Sequence, residues 1–183
     1  MTTATKQQIP TGTWKIDPVH SSVSFSVQHM GVSTFSAGFG DIDAGLTVTD
    51  DGARLFGAAK VESVGVEEPQ LRGHLLSPEF FDAERYPEIR FEADDVRFGD
   101  DGEIVVEGDL IIRDVTRRVD ARGTLVGPIE GPDGRGRLGI TLETVVDRTD
   151  FGLGWNMDLP NGTVVLANDV TLTVRLELVQ EAA

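Results

Sequence analysis

The sequence predicts an all-β protein, an extended antiparallel up-and-down β-barrel with one short helical segment near residues 68–82. Three observations point there. Apolar residues recur at every second position over most of the chain, turn pairs ending in glycine separate the runs, and the last run is too long for a flat sheet in a chain of 183 residues.

In chain order, strands are expected near 13–17, 20–29, 34–48, 53–63, 88–98, 103–113, 116–126, 136–147 and 163–179. In the second run Val23, Phe25 and Val27 alternate with Ser22, Ser24, Ser26 and Gln28. In the run near 103–113, Ile104, Val106, Leu110 and Ile112 share a face with Gly108, opposite Glu103, Glu107 and Asp109. The last run is the clearest. Val164, Leu166, Val170, Leu172, Val174, Leu176 and Leu178 lie on one face, interrupted only by Asn168. Asp51-Gly52, Asp101-Gly102, Asp133-Gly134 and Asn161-Gly162 supply the positive φ that tight hairpins need, which makes successive strands antiparallel neighbours.

The segment 67–85 breaks this pattern. Pro69 suits a first helical turn, Leu71, Leu75 and Leu76 form a short apolar stripe, and Pro78 ends it. This helix is expected to cover one mouth of the sheet. A strand of about 16 residues spans roughly 50 Å, against about 40 Å for the whole globule, so the last strand must coil around the body. Long strands in meander order close on themselves and remove their edges. Residues 13–179 then read as one domain, preceded by a flexible segment over 1–12.

Composition excludes several functions. The 31 Asp and Glu against 16 Lys and Arg give a net charge of −15, which repels phosphate backbones and anionic lipid surfaces, so no nucleic-acid partner is expected. There is no Cys for disulfides or thiolate chemistry. Residues 18–40 carry no charge, yet six Ser, two His and a Gln among them argue against stable membrane insertion. The opening MTTATKQQIPTG has no apolar core of leader length, and a cytoplasmic location is expected.

Chemistry-bearing constellations are weak. His20, His29 and His74 are scattered without paired ligand spacing, so no metal is expected. No nucleophile elbow or dinucleotide fingerprint occurs, and GPDGRGR at 131–137 reads as a hairpin loop; neither catalysis nor a cofactor is expected. Arg113, Arg117, Arg118 and Arg122 crowd one hairpin, either as a solvated turn paired with Asp114 and Asp120 or as a site for an anionic headgroup. Arg72 and His74 are rival headgroup candidates.

The interior of such a barrel is packed solid or holds one ligand. Phe25, Val27, Phe39, Phe91, Leu110, Ile112, Leu142, Val170 and Leu172 are the expected inward positions, with plain core packing as the competing reading. Trp155 and Met157, in FGLGWNMDLP, either rim the mouth or seal the core. Ala37, Gly38, Gly57, Ala58, Ala59, Gly108, Ala121 and Gly123 mark bulges and corners, or together leave unfilled volume. A chain burying ten methylenes, at about 0.8 kcal/mol each, binds in the micromolar class after association costs.

Four stretches resemble signatures of the YceI-like family. They are Trp14-x-Ile16-Asp17-x-x-His20-Ser21-x-Val23-x-Phe25-x-Val27-x-His29, followed by the glycine-bearing run 35–42; Arg72-Gly73-His74-Leu75-x-Ser77-x-Glu79-Phe80-Phe81-Asp82 with Tyr86-Pro87-x-Ile89-x-Phe91; Gly108 to Thr116; and Arg148-x-Asp150-Phe151-Gly152. The resemblance implies a lipocalin-like barrel whose apolar tunnel holds a long-chain amphiphile, typically a polyisoprenoid, for binding, storage or transport and without catalysis. A quinone or fatty amide in the same cavity, or a ligand-free structural barrel, are the alternatives, and pairing as a homodimer is a family possibility. Gly73 stands where many relatives have Asp, so no carboxylate role carries over there. Asp114 replaces a common Gly but tolerates the left-handed turn, and Arg118 replaces a frequent Pro.

Overall fold

The computed structural model describes residues 8–182. The period-two runs form ten strands in one antiparallel sheet: β1 (Gly12–Ile16), β2 (Ser22–His29), β3 (Ser33–Phe39), β4 (Ile42–Thr49), β5 (Gly52–Lys60), β6 (Glu88–Phe98), β7 (Glu103–Ile112), β8 (Val115–Glu130), β9 (Gly136–Asp147) and β10 (Leu166–Gln180). β1 pairs with both β4 and β10, which closes an eight-stranded ring in meander order. β10 is long enough to serve two partners on that side: residues 178–180 pair with β1 and residues 166–175 with β2. β1 and β2 are thus one bent strand, interrupted at Pro18–His20, where Asp17 Oδ1 accepts from the Val19 N–H at 3.0 Å.

The strand expected over 34–48 is two strands. β3 pairs with β2, whereas β4 pairs with β1 and β5, and the chain turns away at Gly40-Asp41. The cause is a change of phase. Phe35, Ala37 and Phe39 face inward on odd numbers, but Ile42, Ala44, Leu46 and Val48 do so on even ones, so an unbroken strand would expose one set. The same switch separates Trp14 and Ile16 from Val23, Phe25 and Val27.

Where β3 parts from β5, the following residues fill the gap. Gly40 N donates to the Ser63 carbonyl at 3.0 Å, and Gly65 N to that of Gly38 at 2.8 Å. Helix α1 (Pro69–Leu76) comes next, inside the span expected, with the Glu68 carboxylate accepting from the N–H groups of Gln70 and Leu71. Leu75 of α1 and the adjoining Phe80, Phe81 and Ala83 are buried against Phe25 and Phe39, so the segment covers the mouth.

Three of the four expected glycine turns join consecutive strands, whereas Asn161-Gly162 lies within the loop before β10. Two further turns use other residues at positive φ: Met30-Gly31 (53° and 69°) and Arg113-Asp114 (52° and 68°).

The interior has two parts. Around Trp14, the side chains of Leu46, Ile104, Val106, Leu138, Ile140 and Leu178 are sealed from solvent and fill the bore. Of the N-terminal segment expected to be flexible, residues 1–7 lie outside the described residues. Ile9 belongs to this packed cluster, and the Pro10 carbonyl accepts from Trp14 Nε1 at 3.3 Å, so burial of the Ile9 side chain ties down the part next to β1. The other half of the barrel is hollow. No helix among the described residues is long and apolar enough to cross a membrane.

Candidate functional site

The hollow half encloses a cavity of about 560 Å³, within the range of small-molecule sites. Every second residue of the strands supplies its wall. Phe25 and Val27 of β2, Phe39 of β3, Phe91 of β6, Leu110 and Ile112 of β7, Leu142 of β9, and Val170 and Leu172 of β10 all line it. Trp155 lines it too, whereas Met157 points outward and is 55% exposed. The expected tunnel is a blind pocket, because the packed layer around Trp14 blocks the bore beyond Leu55, Ala121 and Leu176.

The small residues divide between the two readings. Gly57, Ala58, Ala59 and Ala121 are on the wall and leave volume free. Gly108 and Gly123 are close approaches instead: a Cβ on Gly108 would lie 2.6 Å from the Glu92 carbonyl oxygen, and one on Gly123 would lie 1.7 Å from that of Thr141.

Aromatic rings cap the cavity at the α1 end. Phe25 lies 5.8 Å from Phe39 and 6.1 Å from Phe81, in tilted and edge-on contacts. His74 is on the wall, its ring edge-on to Phe80 at 4.8 Å and to Trp155 at 4.7 Å, with Nε2 at 2.6 Å from Glu79 Oε2.

The other three headgroup candidates are not on this wall. Arg72 Nη2 donates to the Glu62 carbonyl, Arg113 Nη1 to that of Gly152 and Arg117 Nη1 to that of Thr116. The arginine hairpin is a solvated, paired turn: Arg122 lies 3.2 Å from Asp120, and Arg118 lies 3.6 Å from Asp109 and 3.8 Å from Asp94. Acids pair with Arg118 and Arg122, while Arg113 and Arg117 donate to backbone carbonyls.

Sequence reasoning missed the aromatic cap residues Phe35, Phe80 and Phe81, and it missed Arg148. Phe80 and Phe81 stand in the quoted SPEFF stretch, just past the helix, where no period marks a face. Arg148 is the one charged residue on the wall that is buried, and burial pushes its pKa below the ordinary arginine range.

A second cluster lies away from the cavity. Asp17, His20 and Glu177 bring one ligand-type atom each within 4.8 Å. Those atoms are already engaged, His20 Nδ1 with Asp17 Oδ2 at 3.0 Å and Glu177 Oε1 with Arg137 Nε at 3.5 Å. The Asp17 hydrogen bond raises the His20 pKa above its ordinary value. Protonated His20 therefore favours the folded state at pH below about 6.5, and this contribution fades as pH rises through the raised value. In an NMR titration His20 should titrate above the ordinary histidine value and return towards it in Asp17→Asn; an unmoved midpoint would remove Asp17 as the cause.

Residues 14–178 match the family described as YceI-like domain. Among relatives, a UPF0312 protein of Staphylococcus aureus strain N315 is 27% identical over 168 residues, 88% of this chain and 94% of that protein. A UPF0312 protein of Pseudomonas putida strain W619 is 28% identical over 145 residues, 76% of each. BcnA of Burkholderia cenocepacia has a similar fold, with TM-score 0.75 at 16% identity over 88% of this chain and 98% of that one. A polyisoprenoid binding domain from Saccharophagus degradans has TM-score 0.70 at 12% identity over 92% and 98%.

Proposed function

Since this chain belongs to the YceI-like domain family, we propose that it binds a long-chain amphiphilic lipid of the polyisoprenoid class, for storage or transport. The observation that carries this reading is the cavity of about 560 Å³, whose wall is almost wholly aliphatic and aromatic. A preformed apolar cavity excludes water from a hydrocarbon tail, and each methylene so buried contributes about 0.8 kcal/mol. The fold shared with the polyisoprenoid binding domain from Saccharophagus degradans supports the choice of ligand class. The mechanism is sequestration: strands fixed by the sheet hold the wall rigid, and the tail enters without requiring a new core.

Organic extraction of freshly purified protein followed by mass spectrometry tests this. One long-chain species at close to one per protein is expected, and its mass distinguishes an isoprenoid from a quinone or a fatty amide. Extracts without such a species from lipid-rich cells, together with no uptake by delipidated protein, would contradict lipid binding and leave a structural barrel.

A further inference from the structure

Arg148 begins the turn Arg148–Phe151 that follows β9, and it is only 6% exposed. Three of its donors are engaged by backbone carbonyls. Nε donates to Ala167 at 2.9 Å, and Nη1 donates to Leu153 at 2.5 Å and Trp155 at 2.8 Å. These bonds hold the loop before β10 against the barrel. They leave Nη2 buried with no hydrogen-bond partner. Arg148 forms no ion pair among the described residues. The neighbouring Asp147 directs Oδ1 instead at the N–H and hydroxyl of Thr149, at 2.8 and 2.6 Å.

A guanidinium stays charged even when buried; Asp147 attracts it without forming an ion pair, and that attraction is smaller than the cost of burial. Arg148 is on the wall, as are Leu153 and Trp155, whose carbonyls Nη1 holds, and Val146 just upstream on β9. We infer that Arg148 is the headgroup subsite of this cavity, and that the head it takes is anionic at oxygen, a carboxylate or a phosphate. This inference rests on the lipid-binding reading above. The two free N–H groups belong to one nitrogen and diverge, which suits a single-oxygen contact rather than a two-point fork. An anionic oxygen adds charge attraction, strengthened by the low dielectric, to the hydrogen bond that an alcohol or carbonyl makes. The head then sits at the loop end of the cavity, and the tail runs towards Leu55 and Ala44.

The test compares heads on identical tails. Delipidated full-length protein is titrated with geranylgeranyl phosphate and geranylgeraniol, and with palmitate and hexadecanol, with the change in tryptophan fluorescence as the signal. Wild type should favour each anion over its alcohol by about tenfold or more, with little dependence on salt, because the contact is buried. In Arg148→Met the ratio of anion to alcohol affinity should fall to within about twofold, whatever loss all four probes share once the Leu153 and Trp155 carbonyls are released. Should that variant not fold, Arg148→Lys, which retains the charge, should retain the preference for anions. Alcohols binding wild type as tightly as the anions would overturn the inference and leave lipid binding intact. A preference that survives in folded Arg148→Met, or is lost in folded Arg148→Lys, would overturn it too. Failure of all four probes on wild type would instead count against the lipid-binding reading itself.

Discussion

Replacing Gly57 by leucine is expected to weaken uptake of an apolar chain roughly a hundredfold while leaving the protein as stable as wild type or more so. Gly57 lies in β5 between Ala44 of β4 and Phe91 of β6, with Leu55 and Ala59 on the same inward face. A Cβ placed there meets only the Asp43 carbonyl oxygen, at 3.9 Å, so the added side chain starts without a clash on the cavity wall. Overpacking a filled core costs about 1–3 kcal/mol, but this site is not filled. A leucine there also removes the roughly 0.5–1 kcal/mol penalty that glycine imposes inside a strand. Meanwhile it excludes about four methylenes of ligand, about 3 kcal/mol of binding or a loss of roughly a hundredfold. Chemical denaturation and ligand titration on the same variant read the two effects separately. Unchanged affinity would show that the chain does not occupy the space in front of Gly57. A marked loss of stability would show that this space is already taken up by packing. Gly123 makes the contrast: a Cβ there falls 1.7 Å from the Thr141 carbonyl oxygen, so β8 and β9 would have to separate.

The barrel was legible because a period-two pattern records which face of a strand is dry, and that face survives folding. The inward positions in β2, β6, β7, β9 and β10 follow from it directly. The breaks were harder to read. The odd-to-even switch between Phe39 and Ile42 is present in the sequence, but two adjacent runs of good strand formers conceal it. Turns were legible where Asp or Asn precedes Gly, and at Asp114; the positive φ of Arg113 was not, because the tightness of the β7–β8 hairpin forces it into a conformation its side chain does not favour. Charge was the least legible quantity. The arginines of the β7–β8 hairpin stand out by number, yet Arg118 and Arg122 pair with nearby acids, and Arg113 and Arg117 donate to backbone carbonyls. Arg148 stands in one of the four family-like stretches, but nothing in that stretch says that its side chain is buried. Its burial depends on carbonyls contributed by residues 153, 155 and 167, a long-range arrangement that no local pattern announces.

Trp14→Ala is expected to lower stability by about 3–5 kcal/mol, the range for removing a large aromatic from a close-packed core. Trp14 has no exposed surface, and its indole lies among side chains of the packed half, including Leu46 and Leu178, that are equally sealed. The surroundings cannot readily collapse onto the space it leaves. β1 is short and held on both edges, by β4 at Leu46 and by β10 at Gln180, so its backbone cannot move inward without breaking the ring closure. The indole N–H donates to the Pro10 carbonyl, so the variant also frees the chain leading into β1. A domain of this size has about 5–15 kcal/mol in total, so the remaining margin is small and denaturation at modest urea is expected. Trp14 is not on the cavity wall. Below the unfolding transition, the variant should therefore bind an apolar chain within about twofold of wild type. Stability and binding separate because one half of the barrel is filled by its own side chains and the other is left for a guest. A stability loss under about 1 kcal/mol would mean that the Trp14 layer closes up after all. A matching loss of affinity in molecules still folded would mean that the two halves are one core.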